Sequence, residues 1–432
     1  MKARFSTIVA LVVIVGVLVA GCAPQATPTP EPVAPTAKPA APTEPPPPPT
    51  EPPPPPTEPP PEPIVIGAAL SVTGKYAKSA LWHEESYTMW MEEVNALGGL
   101  LGREVQLVMY DDESDPTKTT SLYEKLITGD KVDLLLGPYS SACNFPAQAI
   151  AEQYEMVFLI SGGTSEDLYN RGFKYSFCTA PGLAGVYANG FFAWLKENVP
   201  EEEMPKTIAF LWEDTLFPES CAMGGIVQAE AMGMEVVLQE KYAVGATDFT
   251  TLIAKAKAAG AEILFGGTYF PDSVGLVSAS SEMNYSPKAM WLSVGPSEPE
   301  FGTELGDLAN YIWCGVHWEP TSRLPGVPEF VERYAARWDR DPDYHASRAY
   351  ASCEILQQAV EATGTFDNVV LGEYIRTHTF PTVQGSLTFD ETGVPLEAMI
   401  QIQWQNGQKE VIHPNDAATA EGIYPMPSWS ER

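Results

Sequence analysis

Basic side chains are scarce in this chain. Lysine and arginine together number 25 against 56 aspartates and glutamates, giving a formal net charge of -31. A chain so acidic repels phosphate backbones and anionic lipid surfaces, which excludes nucleic acid as a partner. Cysteine is rare too: there are six, none in a C-x-x-C pair, so a zinc site has no scaffold. The five histidines (His83, His317, His345, His378 and His413) are scattered without ligand spacing. Neither a G-x-S-x-G elbow nor an H-E-x-x-H pair occurs. The stretch "GAALSVTGKYA" (Gly67–Ala77) approaches a phosphate loop, but Ala69 stands where the first glycine belongs and Tyr76 follows the lysine. These absences leave no expected enzyme activity, cofactor or metal.

The 432 residues, 44% of them hydrophobic, suffice for roughly two to three domains with real cores. The N-terminus sets the compartment. Lys2 and Arg4 precede an apolar run from Ile8 to Ala20, broken only by Gly16. That run is short for a membrane span and has the layout of a secretory signal. It ends in Leu18-Val19-Ala20-Gly21-Cys22, which resembles the bacterial lipobox. Residues 1–22 are therefore expected to be a lipoprotein signal, with Cys22 lipidated and the protein held on the outer side of a bacterial membrane. The remaining cysteines, Cys143, Cys178, Cys221, Cys314 and Cys353, are odd in number, so at least one thiol stays free.

Residues 23–63 form a tether whose core reads "TEPPPPPTEPPPPPTEPPPEP". Such composition favours polyproline II, rising about 3.1 Å per residue, so the stretch reaches on the order of 120 Å. It spaces a domain from a membrane, or offers a ligand to a proline-recognition domain.

After Pro63 the texture changes. Strands are expected at Ile64–Leu70, Val105–Tyr110, Val132–Leu136 and Met156–Ile160, with helices at Glu84–Ala96, Thr117–Thr128 and Pro146–Tyr154 between them. The rhythm restarts at Thr207: strands at 207–212, 235–238, 262–267 and 289–294, with helices at 219–232, 249–259 and 272–283. Helices follow at 328–338, 346–362 and 369–377, then strands within 385–390 and 398–407. Alternating short apolar strands and helices predict an α/β fold of two Rossmann-like lobes with parallel sheets flanked by helices.

In open α/β sheets a ligand sits outside the carboxyl ends of the strands. There the chain reads Gly137-Pro138-Tyr139-Ser140-Ser141, and after the next strand Ser161-Gly162-Gly163-Thr164. Two neighbouring hydroxyl- and glycine-rich strand ends can cradle a small anionic group; equally, such residues cap helices. The run Trp82–Glu85 reads as an exposed helix start rather than a metal fragment. Asp111-Asp112-Glu113 reads as a solvated loop or cap cluster rather than a cation site.

From about Ile64 to His413 the chain resembles the leucine/isoleucine/valine-binding type of periplasmic binding protein, the solute receptor of ABC importers. The blocks that carry the resemblance are "IGAALSVTGKYA", "EEVNALGGLLGREVQLVMYDDESDP", "LLLGPYSSACNFPAQAIAE", "ISGGTSEDL" and "FTTLIAKAKAAGAEILFGGTYFPD". It implies an N-terminal lobe of residues 64–183 and 318–385, a C-terminal lobe of 184–317 and 386–432, and a multi-stranded hinge. It implies that Ser141, with Ser140 and Tyr139 beside it, and Gly163 and Thr164 hold a ligand carboxylate. Tyr76 or Ser79 would face the cleft from the first loop, with Phe217 and Tyr269 facing it from the second lobe. Amino-acid-binding members place a glutamate after a Gly-Pro pair to meet the ligand ammonium. Here Ser297 takes that place and Glu298 follows it, so either Glu298 turns inward or the ligand lacks an α-amino group.

The resemblance further implies an amino acid, amide or small carboxylate caught between closing lobes, a membrane permease that reads the closed form, and no bond made or broken. A receptor that signals to a partner protein is the alternative. A hydrolase using Ser141 as nucleophile lacks a histidine in any matched block.

Overall fold

A computed structural model describes residues 61–322, 324–395 and 399–432. The signal segment, Cys22 and the tether through residue 60 lie outside the described residues.

The first sheet holds β1 (Ile64–Leu70), β2 (Val105–Asp111), β3 (Leu134–Leu136), β4 (Phe158–Ile160) and β5 (Ser176–Cys178), all parallel in the order β2-β1-β3-β4-β5. Helices cover both faces, so β1, β3, β4 and β5 read as short, almost wholly buried runs without polar alternation. The second sheet repeats the winding. Its strands β6 (Thr207–Glu213), β7 (Glu235–Tyr242), β8 (Ile263–Gly267), β9 (Ala289–Leu292) and β10 (Ile312–Val316) run in parallel as β7-β6-β8-β9-β10. After a small hairpin, β11 (Thr379–Thr382) and β12 (Gly385–Thr388), the chain adds β13 (Ile400–Gln405) and β14 (Gln408–His413) antiparallel to the edge at β10.

The chain passes between the two halves three times: from β5 to β6, from β10 to the helix Val327–Trp338, and from β12 to β13. The helix Tyr344–Thr363 returns to the first half, where Ala349, Cys353 and Leu356 join the core of Trp82, Tyr87 and Trp90.

Several boundaries differ from the sequence reading. The first helix runs Ala77–Ala96 rather than from Glu84, although Tyr76 at its cap position makes no side-chain capping bond. Trp82 and His83 are buried inside it, so that run is mid-helix and not an exposed start; burial against the first core, not a capping residue, sets the helix's beginning. The helix expected from Pro146 begins at Ser141 and carries Pro146 within it. The strands β5, β10 and β14 and the helix Asn189–Asn198 had no counterpart in the sequence reading. Asp112 is buried and accepts the hydroxyls of Ser71 (2.7 Å) and Thr119 (3.0 Å), while Asp115 caps the helix Pro116–Lys125. All five described cysteines are buried and unpaired. Among the described residues no helix is long and apolar enough to cross a membrane.

Candidate functional site

In each sheet the winding reverses between the first and third strands, and a crevice opens there at the carboxyl ends. Tyr76 and Ser79 follow β1, Tyr139 to Ser141 follow β3, Phe217 follows β6 and Tyr269 follows β8. The two crevices face each other. The Tyr76 and Tyr269 rings lie 4.7 Å apart and those of Tyr139 and Tyr269 6.4 Å apart.

The loops after β3 and β4 are tied together. Ser141 Oγ accepts the backbone N–H groups of Thr164 (3.1 Å) and Ser165 (3.0 Å), while Ser140 Oγ accepts that of Cys143 (3.2 Å). Both lone pairs of Ser141 are thus engaged, and its O–H hydrogen is what it has left to offer. Ser140 holds φ 75° and ψ 145°, a region L residues avoid and a known sign of a constrained site. Gly162 pairs with Tyr139, so closely that a Cβ there would stand 2.6 Å from the Tyr139 Cα. The Gly163 carbonyl accepts the Tyr169 hydroxyl (2.7 Å), and Thr164 Oγ1 lies 3.1 Å from the Tyr187 hydroxyl.

Between the crevices lies a small, tightly closed cavity, lined by Tyr139, Gly162, Thr164, Tyr187, Phe217, Tyr269, Val294, Tyr344, His345 and Arg348. Arg348 dominates its electrostatics. The residue sits in a helix buried continuously from Tyr344 to Cys353, and is itself 3% exposed. Its carbonyl is fixed by the Thr179 hydroxyl (3.3 Å) at the end of β5. Its Nε and Nη2 have no hydrogen-bond partner among the described residues, and it forms no ion pair there. A guanidinium is always charged, and a buried cation without compensation costs several kcal/mol.

The neighbouring groups are neutral or already committed. Asp343 accepts the backbone N–H of His345 (2.8 Å) and lies 2.7 Å from His345 Nδ1, which fixes the ring so that Nε2 accepts the Tyr139 hydroxyl at 3.2 Å. Burial drives His83 down to about 3, leaving it uncharged, and its Nε2 has no partner among the described residues. Tyr187 donates to His317 Nε2 (2.6 Å), whose Nδ1 is held by the Pro181 carbonyl (2.6 Å).

Of the pair after Gly295-Pro296, Ser297 is turned away: its hydroxyl donates to the Val294 carbonyl at 2.6 Å. Glu298 reaches instead to the Ser79 hydroxyl of the opposite half. Its carboxyl is fully buried and pushed up to about 8 by that burial, with Oε2 unpartnered among the described residues. Neither residue lines the cavity. At the rim, Lys75 pairs with Glu213 and Asp272 of the second half.

The model of the family described as periplasmic binding protein matches residues 63–409. The chain belongs to that family. It is 26% identical over 375 residues to the Leu/Ile/Val-binding protein homolog 8 of Brucella melitensis, covering 83% of this chain and 92% of the relative. A leucine binding protein from Thermotoga maritima superposes with TM-score 0.74 at 20% identity, covering 82% of this chain and 99% of that one. A solute binding protein from R. palustris in complex with benzoate gives TM-score 0.72 at 18% identity, over 84% and 98% of the two chains. The resemblance read from the sequence blocks therefore holds, as does the two-lobed α/β fold. The protein is an extracytoplasmic solute-binding receptor of the kind that serves ABC importers.

Sequence reasoning brought Tyr139, Thr164, Phe217 and Tyr269 to what proves to be one cavity wall, and missed Tyr187, Val294, Tyr344, His345 and Arg348. A signal for Arg348 existed. It stands in "DYHASRAYASCEIL" with no acidic residue three or four positions away on either side, so a helical ion pair could not explain it.

Proposed function

We propose that this receptor captures a small carboxylate between its two lobes and holds the carboxylate on Arg348. The observation that carries the reading is the buried guanidinium with two unused N–H donors on the cavity wall. A planar fork of donors suits a carboxylate, which accepts two parallel bonds from it. Ser140 and Ser141 do not line the cavity themselves but follow Tyr139, which does; each keeps an O–H to donate, so the loop after β3 would add neutral donors to the charged one. The relatives from T. maritima and R. palustris, described with leucine and benzoate, share a carboxylate as the common element of their ligands.

The same charge supplies a mechanism for closure. In an open cleft water solvates Arg348; closing without an anion strips that water and leaves the charge bare. A bound carboxylate removes the penalty, so it shifts the population toward the closed form by its differential affinity for that form. A permease that recognises only the closed form then meets only loaded receptor. Lipidation at Cys22 and the proline-rich tether would keep the receptor at the membrane carrying that permease.

The test is calorimetric titration with a series of small carboxylates and their primary amides, on the native chain and on Arg348→Gln. Truncating one partner of a buried charged pair costs about 2–5 kcal/mol. The variant should therefore bind carboxylates about 30-fold to several thousand-fold more weakly. Native affinity in Arg348→Gln, or amides binding as well as acids, contradicts the reading.

A further inference from the structure

The lining of the cavity says more about the ligand than its charge. Apart from Arg348, the side chains that bound it are Tyr139, Tyr187, Phe217, Tyr269 and Tyr344, with His345, Thr164 and one aliphatic residue, Val294. No leucine or isoleucine contributes, although both abound in the cores beneath each sheet. The rings are not collapsed on one another in parallel. Tyr187 and Phe217 meet edge-on at 5.5 Å, Phe217 and Tyr269 are tilted at 5.6 Å, and Tyr139 meets Tyr269 edge-on at 6.4 Å. Such a frame presents both ring faces and ring edges, and each has a favoured partner in another flat π-system.

The second observation concerns positive charge. No aspartate or glutamate lines the cavity, and its one permanent charge is the Arg348 cation. The nearest unpaired carboxyl, Glu298, lies outside the lining, bonded to Ser79. Burial pushes its carboxyl up, and it is turned to Ser79 rather than into the lining. Burial leaves His83 neutral. Asp343, the other buried acid nearby, is committed to His345 and to two backbone N–H groups. A zwitterion placed here would bring its ammonium next to a guanidinium and away from any charged acid.

We propose that the ligand of this receptor is an aromatic carboxylate without an α-amino group: a benzoate- or phenylacetate-like acid, its carboxylate on Arg348 and its ring among Tyr139, Tyr187, Phe217, Tyr269 and Tyr344. The inference rests on the carboxylate reading above and narrows it.

Two matched ligand pairs, titrated calorimetrically into the native protein, separate the two elements. Benzoate and cyclohexanecarboxylate share the acid and the six-carbon ring and differ in its aromaticity and planarity; benzoate should bind about tenfold more tightly. Phenylacetate and L-phenylglycine differ by the ammonium; the amino acid should bind at least about a hundredfold more weakly. L-leucine and benzamide complete the set. If L-leucine or L-phenylglycine binds as tightly as phenylacetate, the aromatic-acid inference is overturned, while the carboxylate reading stands provided Arg348→Gln abolishes that binding. Equal affinity for benzoate and cyclohexanecarboxylate overturns the aromatic half alone. If benzamide matches benzoate, or no acid of either kind binds, the carboxylate reading fails with it.

Discussion

The Lys75 ammonium lies 3.1 Å from the Asp272 carboxylate and is also paired with Glu213, joining the loop after β1 to two elements of the other sheet. All three groups stand at the two points where the sheet windings reverse, one in the first half and two in the second. Glu213 is fully buried, and burial raises Asp272 against the opposing pull of Lys75. The contact therefore belongs to the closed arrangement and disappears when the halves part. In Lys75→Met two buried carboxyls lose their cation while every residue lining the cavity stays in place. Ligand affinity should fall about tenfold to a hundredfold, less than for a fully buried pair because the Lys75 side chain keeps some contact with solvent. X-ray scattering with saturating ligand should show a larger radius of gyration than for the native complex. Unchanged affinity and unchanged compaction would show that the latch carries no weight in closure.

Substitutions at Ser140 and Ser141 separate backbone strain from lost hydrogen bonds. In Ser141→Ala the backbone N–H groups of Thr164 and Ser165 lose their acceptor inside the fold. At about 1–3 kcal/mol for each unsatisfied buried donor, urea denaturation should reveal a loss of roughly 2–5 kcal/mol. Ser140→Gly should instead stabilise by about 1 kcal/mol, because glycine accepts the strained backbone and costs only a few tenths as a cap. Ser140→Ala keeps the strain, loses the bond to Cys143, and should destabilise by about 1 kcal/mol.

Glu298 gives the fold a pH dependence of defined sign. Its carboxyl rises from the ordinary 4.5 to about 8, chiefly through burial, so between those values the folded chain holds a proton that the unfolded chain releases. The associated stability is complete below about pH 4.5 and is lost as pH rises through about 8. Glu354, raised to about 7 mainly by burial, acts in the same direction, whereas buried His83, lowered to about 3, acts oppositely below its ordinary 6.5. Comparing the native chain with Glu298→Gln cancels those shared contributions. Above pH 6.5 the native stability should fall more steeply than the variant's, by up to about 1.4 kcal/mol per pH unit. Parallel pH profiles would place Glu298 in a solvated, unperturbed site.

Much of the architecture was legible in the sequence because buried parallel strands leave uninterrupted apolar runs. The strand at Ile64–Leu70 was read to the residue. β5 escaped because Ser176-Phe177-Cys178 is too short to show a pattern, and β10 because Gly315 interrupts the apolar run of "IWCGV". The helix beginning at Ala77 was placed late because its buried first turns carry Lys75, Lys78, Trp82 and His83 around them, which mimics an exposed start. The strand-end loops of the site were found by their glycines and hydroxyls, a local signal. Arg348 was not, since its meaning lies in space: it sits in the fully buried stretch Tyr344 to Cys353 and forms no ion pair among the described residues. Tyr187 was hidden for a related reason, standing on a crossing between the halves where no periodic pattern runs.

The central claim is that the guanidinium of Arg348 receives the ligand's carboxylate inside the closed cleft. A crystal structure of the protein with its tightest-binding small acid measures this directly. Both carboxylate oxygens are expected at about 2.7–2.9 Å from Arg348 Nε and Nη2, with the rest of the molecule between Tyr139 and Tyr269. A ligand seated elsewhere, or an Arg348 paired with an acidic side chain of the protein while the ligand binds, would contradict it.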